Sequence, residues 1–159
     1  MAITRFAGPW TKLSNFSACP IWYEGHIYPS VEHAYQAQKT LDPVLQQSIR
    51  NTSTANIAKK MGRMVALRPD WEDVKIPLMR ILLAEKFSQE PERSLLLSTG
   101  DHFLVEGNWW GDRFWGQCPV GTGSNHLGRM LMGIRDMLAT DQDLHLSSIV
   151  YEPKPDSHD

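Results

Sequence analysis

The chain has 159 residues, 42% hydrophobic and 21% charged, which is the make-up of an ordinary globular protein with enough chain for one core. With Lys+Arg at 16 and Asp+Glu at 18, the net charge of -2 excludes a broad electrostatic grip on nucleic acid or an acidic membrane, though not a small phosphate site. Cys19 and Cys118 form no CxxC pair, no apolar run of about 18 residues occurs, and the N-terminus carries no secretory pattern. A cytoplasmic protein in a reducing compartment is therefore expected, without disulfides or membrane spans.

In chain order, Ile21-Trp22-Tyr23 and His26-Ile27-Tyr28 flank Glu24-Gly25 and predict a short β-hairpin. Pro29-Ser30-Val31-Glu32 opens a helix with Ser30 as N-cap, running to about Thr40. A second helix is expected over 44–51. A third, capped by Thr54, covers 55–61 and is ended by Gly62. Asp70 is placed to cap a longer helix in which Trp71, Val74, Leu78, Ile81, Leu82 and Glu85 keep helical spacing; Pro77 should kink or restart it. A short helix follows from Pro91 to Leu97, then a strand over 103–106 and a loop dense in Gly and Trp over 108–124. The last strong element spans 125–139, with Leu127, Leu131, Ile134 and Leu138 facing a core. The fold class expected is α+β: a single compact, mainly helical domain over residues 1–140 with a small sheet, followed by a polar extension, 141–159, with a frayed end.

Glu32, Gln36 and Lys39 recur at i, i+4 and i+7, which aligns them on one helix face. Glu32 lies in the first turn, where free N–H groups and the helix dipole favour an ionised carboxylate. Such a carboxylate can steady a developing cation, but a solvated polar face shows the same spacing. Trp109, Trp110 and Trp115 crowd into a glycine-punctuated loop beside Asp112. Indole faces there could stack on a base or sugar, or the loop could fold over its own tryptophans. Gly121-Thr122-Gly123-Ser124-Asn125 approaches a helix N-terminus, a usual place for an anion, or is a plain cap; it matches neither a P-loop nor a dinucleotide fingerprint. Arg63 offers a guanidinium for phosphate or is a surface arginine. The six histidines show no metal-ligand spacing, so neither metal nor cofactor is expected.

Taken together and in order, several segments resemble the NADAR family, which includes the YbiA-like N-glycosidases. They are Leu13-Ser14-Asn15-Phe16, Pro29 to Lys39 (PSVEHAYQAQK), Met61-Gly62-Arg63, Ala84-Glu85-Lys86-Phe87, Trp110-Gly111-Asp112 and Gly121-x-Gly-x-Asn125-x-Leu-Gly128. The match runs over about residues 10–139. After Trp110-Gly111-Asp112 this chain continues with Arg113-Phe114-Trp115-Gly116-Gln117-Cys118, longer and more aromatic than the YbiA-like branch.

The resemblance implies a mainly helical α+β domain that cleaves an N-glycosidic bond to a ribose carrying phosphate or ADP. The leaving partner is either an amine-bearing pyrimidine intermediate of riboflavin synthesis or ADP-ribosylated guanine. It implies Glu32, Lys39 and Asp112 as catalytic residues. For substrate binding it implies Asn15, Phe16, Gln36, Arg63, Trp110, Gly111, Gly123 and Asn125. Lys39 would anchor phosphate or form a transient Schiff base, with Lys86 as the other lysine in a matching segment. The expected partner is a small ribosyl phosphate or a modified nucleotide, with nucleic acid only as a modified substrate and no membrane. The alternative is a non-catalytic ADP-ribose or NAD-binding module.

Overall fold

Capping and turn chemistry decide most element boundaries. In the computed structural model, which describes residues 1–118 and 120–140, strands β2 (Ile21–Tyr23) and β3 (His26–Tyr28) pair antiparallel with Ile21 opposite Tyr28. Their two-residue turn has φ of 45° at Glu24 and 81° at Gly25, the double left-handed conformation that matches strand twist. Helix α1 (Val31–Ala37) starts where the Ser30 hydroxyl accepts from the His33 amide. Asp42 caps α2 (Pro43–Arg50) through the Val44 amide, and Thr54 caps α3 (Ala55–Gly62) through the Ile57 amide.

Helix α4 (Trp71–Phe87) is continuous, with Pro77 inside it; the missing N–H removes one helical bond without ending the helix. Asp70 occupies the N-cap position but does not cap. Its carboxylate is taken by Arg68, at 2.6 and 3.0 Å, a stronger charged partner than a backbone amide.

Contacts gather into two compact units. One holds Asn15–Gln89, the other Met1–Ser14 together with the described residues between Glu90 and Thr140. In the Asn15–Gln89 unit, α1 is the central element: α2, α3, α4 and the hairpin all pack on it, and all seven of its residues are buried. Leu78, Met79, Leu82, Leu83 and Phe87 of α4 complete this core, each buried side chain contributing about 1.5–3 kcal/mol.

In the other unit, β1 (Ala2–Ile3) pairs parallel with β4 (Phe103–Leu104), and a 3-10 helix (Gly8–Leu13) packs on α5 (Glu92–Ser98). Helix α6 (His126–Ala139) buries Leu127, Met130, Leu131, Ile134 and Leu138. Its buried Arg135 donates to the Thr99 hydroxyl at 2.9 Å and to the His102 carbonyl at 2.7 Å, fastening α6 to the end of α5.

The α+β class, mainly helical with little sheet, is as expected, although the strands form two separate pairs. Neither β1 nor the 3-10 helix is foreshadowed by periodicity. The extension at 141–159 lies outside the described residues. Among those described, no helix is long and apolar enough to cross a membrane.

Candidate active site

The first candidate surface is built on α1. Its polar residues are not a solvated face: Glu32 is 7% exposed and Gln36 3%. The Glu32 amide donates to the Asn15 carbonyl at 3.1 Å, so one N-terminal helix donor is satisfied by the preceding loop. Gln36, one turn on, donates from Nε2 to Glu32 Oε1 at 2.7 Å, a short charge-assisted bond that orients the carboxylate. The Asn15 side chain is buried as well. Its Nδ2 reaches the Met79 sulfur at 3.5 Å, and its Oδ1 has no partner.

Lys39 is not on the helix. Helix α1 ends at Ala37, and the chain tightens into 3-10-type bonds, Lys39 N to Gln36 O at 3.2 Å and Thr40 N to Ala37 O at 3.5 Å. The Lys39 carbonyl then accepts from the Arg68 amide at 2.8 Å. The helix therefore ends two residues short of Lys39, where the turn into the Asp42 cap begins. The Lys39 ammonium lies 5.7 Å from the Tyr35 ring centre and 5.9 Å from that of Trp71. Burial among these rings pushes its pKa below the ordinary lysine value; Arg63, Lys59 and Lys75 push the same way and Glu32 opposes them. A cationic field therefore surrounds Lys39. Lys59 also lies 5.5 Å from the Phe16 ring centre, Arg63 is exposed, and Lys75 pairs with Glu72 at 2.7 Å. Lys86 is fully buried in α4, its ammonium 5.3 Å from the Phe87 ring centre.

The second candidate surface is the tryptophan loop of the other unit. Its aromatics divide. Trp115 turns inward, edge-on to Phe114 at 4.8 Å, and Phe114 stacks obliquely on His126 at 4.4 Å. Trp109 and Trp110 stay outside, 75% and 49% exposed, with their rings 5.9 Å apart.

Two side chains shape the turn. Asn108 Oδ1 accepts from the Gly111 and Asp112 amides, and Asp112 Oδ1 accepts from the Phe114 and Trp115 amides at 3.1 and 3.0 Å. One Asp112 oxygen is thus committed to holding the loop. Sequence reasoning missed Asn108, whose only signal was its place directly before the tryptophan pair. Cys118 has its sulfur 2.8 Å from the Thr122 hydroxyl; that hydroxyl, with backbone amides and Arg113, lowers its pKa to about 7.

The glycine-rich approach to α6 does not present free amides as expected. The amides of Ser124, Asn125, His126 and Leu127 donate to the carbonyls of Arg113, Gly116, Phe114 and Trp115, so the loop itself covers the helix start. Gly123, at φ 140°, lies against this backbone, where a Cβ would come 3.1 Å from Arg113. Asn125 is 2% exposed and its amide is spent, Oδ1 accepting from the Glu106 amide at 3.0 Å and Nδ2 donating to the Leu104 carbonyl at 2.9 Å. Gly123 and Asn125 therefore build the loop, and Gly111, at φ 90°, turns it.

Comparison with known proteins places this architecture. The profile of the family described as "NADAR domain" matches residues 5–139. The chain is 43% identical over 132 residues to N-glycosidase YbiA of Escherichia coli, spanning 81% of this chain and 82% of that protein. It is 39% identical over 134 residues to an N-glycosidase of Nostoc punctiforme, covering 80% of this chain and 85% of that one. A riboflavin biosynthesis protein of Vibrio vulnificus matches at 38% over 145 residues, 89% of this chain but 39% of that longer protein. The NMR structure of Escherichia coli YbiA superposes with a TM-score of 0.77 at 40% identity, covering 89% of this chain and 85% of that one. With the profile and these relatives each spanning most of its length, the chain belongs to the NADAR family.

Proposed function

We propose that this N-glycosidase hydrolyses the C–N bond between a phosphate-bearing ribose and an amine-bearing base, and that α1 carries the reaction. The observation behind this reading is the buried Glu32 carboxylate held by Gln36 at 2.7 Å. Departure of an amine from a ribosyl carbon leaves an oxocarbenium-like centre, which an oriented carboxylate stabilises. Glu32 has that role, and water adds to the same carbon, the proton it gives up balancing the one the departing amine takes. Lys39 and Arg63, with Lys59 and Lys75 nearby, form the field that holds the phosphate. Remote binding energy then positions the sugar.

Asn15 offers a buried acceptor, and Phe16 an aromatic face for the substrate. In the other unit, Trp110 offers an exposed surface on which a base can stack, and Asp112 keeps one carboxylate oxygen that its turn does not take. The names of the Vibrio vulnificus relative and of a similar Zea mays protein, both riboflavin biosynthesis proteins, favour a free ribosyl phosphate from that pathway. The depressed pKa of Lys39 favours a second reading, in which its amine attacks the ribose of ADP-ribosylated guanine. Either substrate suits a cytoplasmic enzyme.

Glu32→Gln tests the proposal, since it keeps the shape and removes the charge. On a panel of aminopyrimidine ribosyl phosphates and ADP-ribosylated oligonucleotides, turnover should fall by orders of magnitude with the melting temperature retained. Ribose release by the parent chain separates an enzyme from a pure ADP-ribose binder. A folded Glu32→Gln variant at parental rate would remove Glu32 from the mechanism.

A further inference from the structure

Gln36 is itself held from behind. A Cβ built on Gly62, the last residue of α3, would stand 2.8 Å from Gln36 Cδ, 3.0 Å from its Cβ and closer still to Oε1. Gly62 has no left-handed φ, so its backbone conformation does not demand glycine. Gln36 Oε1, buried and without a hydrogen-bond partner, faces this bare α-carbon. With Oε1 lodged there, Nε2 is the end left to meet Glu32.

We propose that Gly62 is a positioning residue for the reaction: its missing side chain is the seat that lets Gln36 turn its amide onto the Glu32 carboxylate. This rests on the reading of Glu32 as the reacting carboxylate. Gly62 closes α3 against α1, and the side chain that fills the space its missing Cβ leaves is the Gln36 amide. An added methyl group meets the flexible amide end of Gln36 at its shortest contacts, with the Gln36 Cβ next at 3.0 Å, so the amide gives way first. The cost then falls on the bond to Glu32 more than on the fold.

Three variants test this: Gly62→Ala, Gln36→Ala and the pair together. Gly62→Ala should remain folded and lose kcat by about tenfold or more, with KM close to the parent. Gln36→Ala should lose a similar factor. The double variant should be little slower than Gln36→Ala, because with the amide gone the methyl group meets only the Gln36 Cβ, 3.0 Å away. The Gln36 side-chain amide resonances give a readout independent of turnover, and Gly62→Ala should shift them away from their carboxylate-bonded position.

Unmoved amide signals, full kcat in Gly62→Ala, or additive losses in the double variant overturn the inference. Should Gly62→Ala fail to fold while the double variant folds, the methyl group has met the Gln36 amide as proposed; if neither folds, the glycine serves the backbone and the inference fails. Parental turnover in Glu32→Gln would instead overturn the underlying reading, whatever the amide signals do.

Discussion

Burial beside Tyr35 and Trp71, with Arg63, Lys59 and Lys75 nearby, lowers the Lys39 pKa below the ordinary lysine value and so raises its share of neutral amine. Lys39 can therefore act as a nucleophile at a pH where an ordinary lysine is protonated, or as a point charge for phosphate. Borohydride added during turnover separates the roles. If Lys39 attacks the ribose, a ribosyl adduct is trapped on Lys39 and Lys39→Arg is inactive. If it anchors phosphate, Lys39→Arg keeps much of kcat with a raised KM and no adduct forms. An adduct on Lys86 moves the assignment to the buried lysine of α4. The amine role is the expected outcome. At this scale the residue types were legible in the sequence but their surroundings were not. Spacing aligned Glu32 with Gln36 correctly, yet could not separate a solvated face from a helix buried on every side. It also carried α1 through Lys39, two residues past its end at Ala37, because a 3-10-type exit leaves no mark in hydrophobic periodicity.

Caps were the most readable feature at the level of elements. Ser30, Asp42 and Thr54 each bind an amide of their own helix, while Asp70 binds Arg68, a competition that only the folded chain reveals. The α1 cap extends further, because the His33 ring bridges the Ser30 hydroxyl at 2.7 Å and the Thr52 carbonyl at 3.1 Å. The Thr52 carbonyl needs an N–H on Nε2, while the Ser30 hydroxyl, which can donate or accept, faces Nδ1. Burial lowers the His33 pKa below 6.5 more strongly than the Thr52 carbonyl raises it. The folded state then binds fewer protons than the unfolded one, so this contribution to stability is complete above the unfolded pKa and is lost as pH falls through the folded value. Melting temperature should drop as pH falls below 6.5, and His33→Gln should flatten that limb. Asn125 gives a companion test at the head of α6. Asn125→Ala strands the Glu106 amide and the Leu104 carbonyl, at about 1–3 kcal/mol each. It also places alanine at φ 50°, for about 1 kcal/mol more. Urea unfolding should show a loss of several kcal/mol, of which Asn125→Gly recovers only the backbone share.

Across the whole molecule, the pairing of β1 with β4 joins residues about a hundred positions apart, and no local pattern announces two strands of two residues each. That long-range closure is why one compact unit draws on both ends of the sequence while the other is a single continuous stretch. Net charge, by contrast, was readable at once and bears on the substrate. A net charge of -2 argues against a long polyanion gripped along the surface, and Arg63, Lys59 and Lys75 are the cations that act on Lys39. A ligand whose anchoring phosphates number one or two releases few counterions on binding. A nucleic-acid tract lying along a basic groove adds a slope of about -0.7 per neutralised phosphate for single strands to the dependence of log K on log salt. For a ribosyl phosphate, the slope of log(kcat/KM) against log salt should therefore be shallow, about -1. Lengthening an ADP-ribosylated oligonucleotide on either side of the modified base should leave kcat/KM within about twofold and the slope unchanged. A steep slope that grows with strand length would mean that phosphates beyond the modified nucleotide are gripped, and that the substrate is the polymer and not the nucleotide.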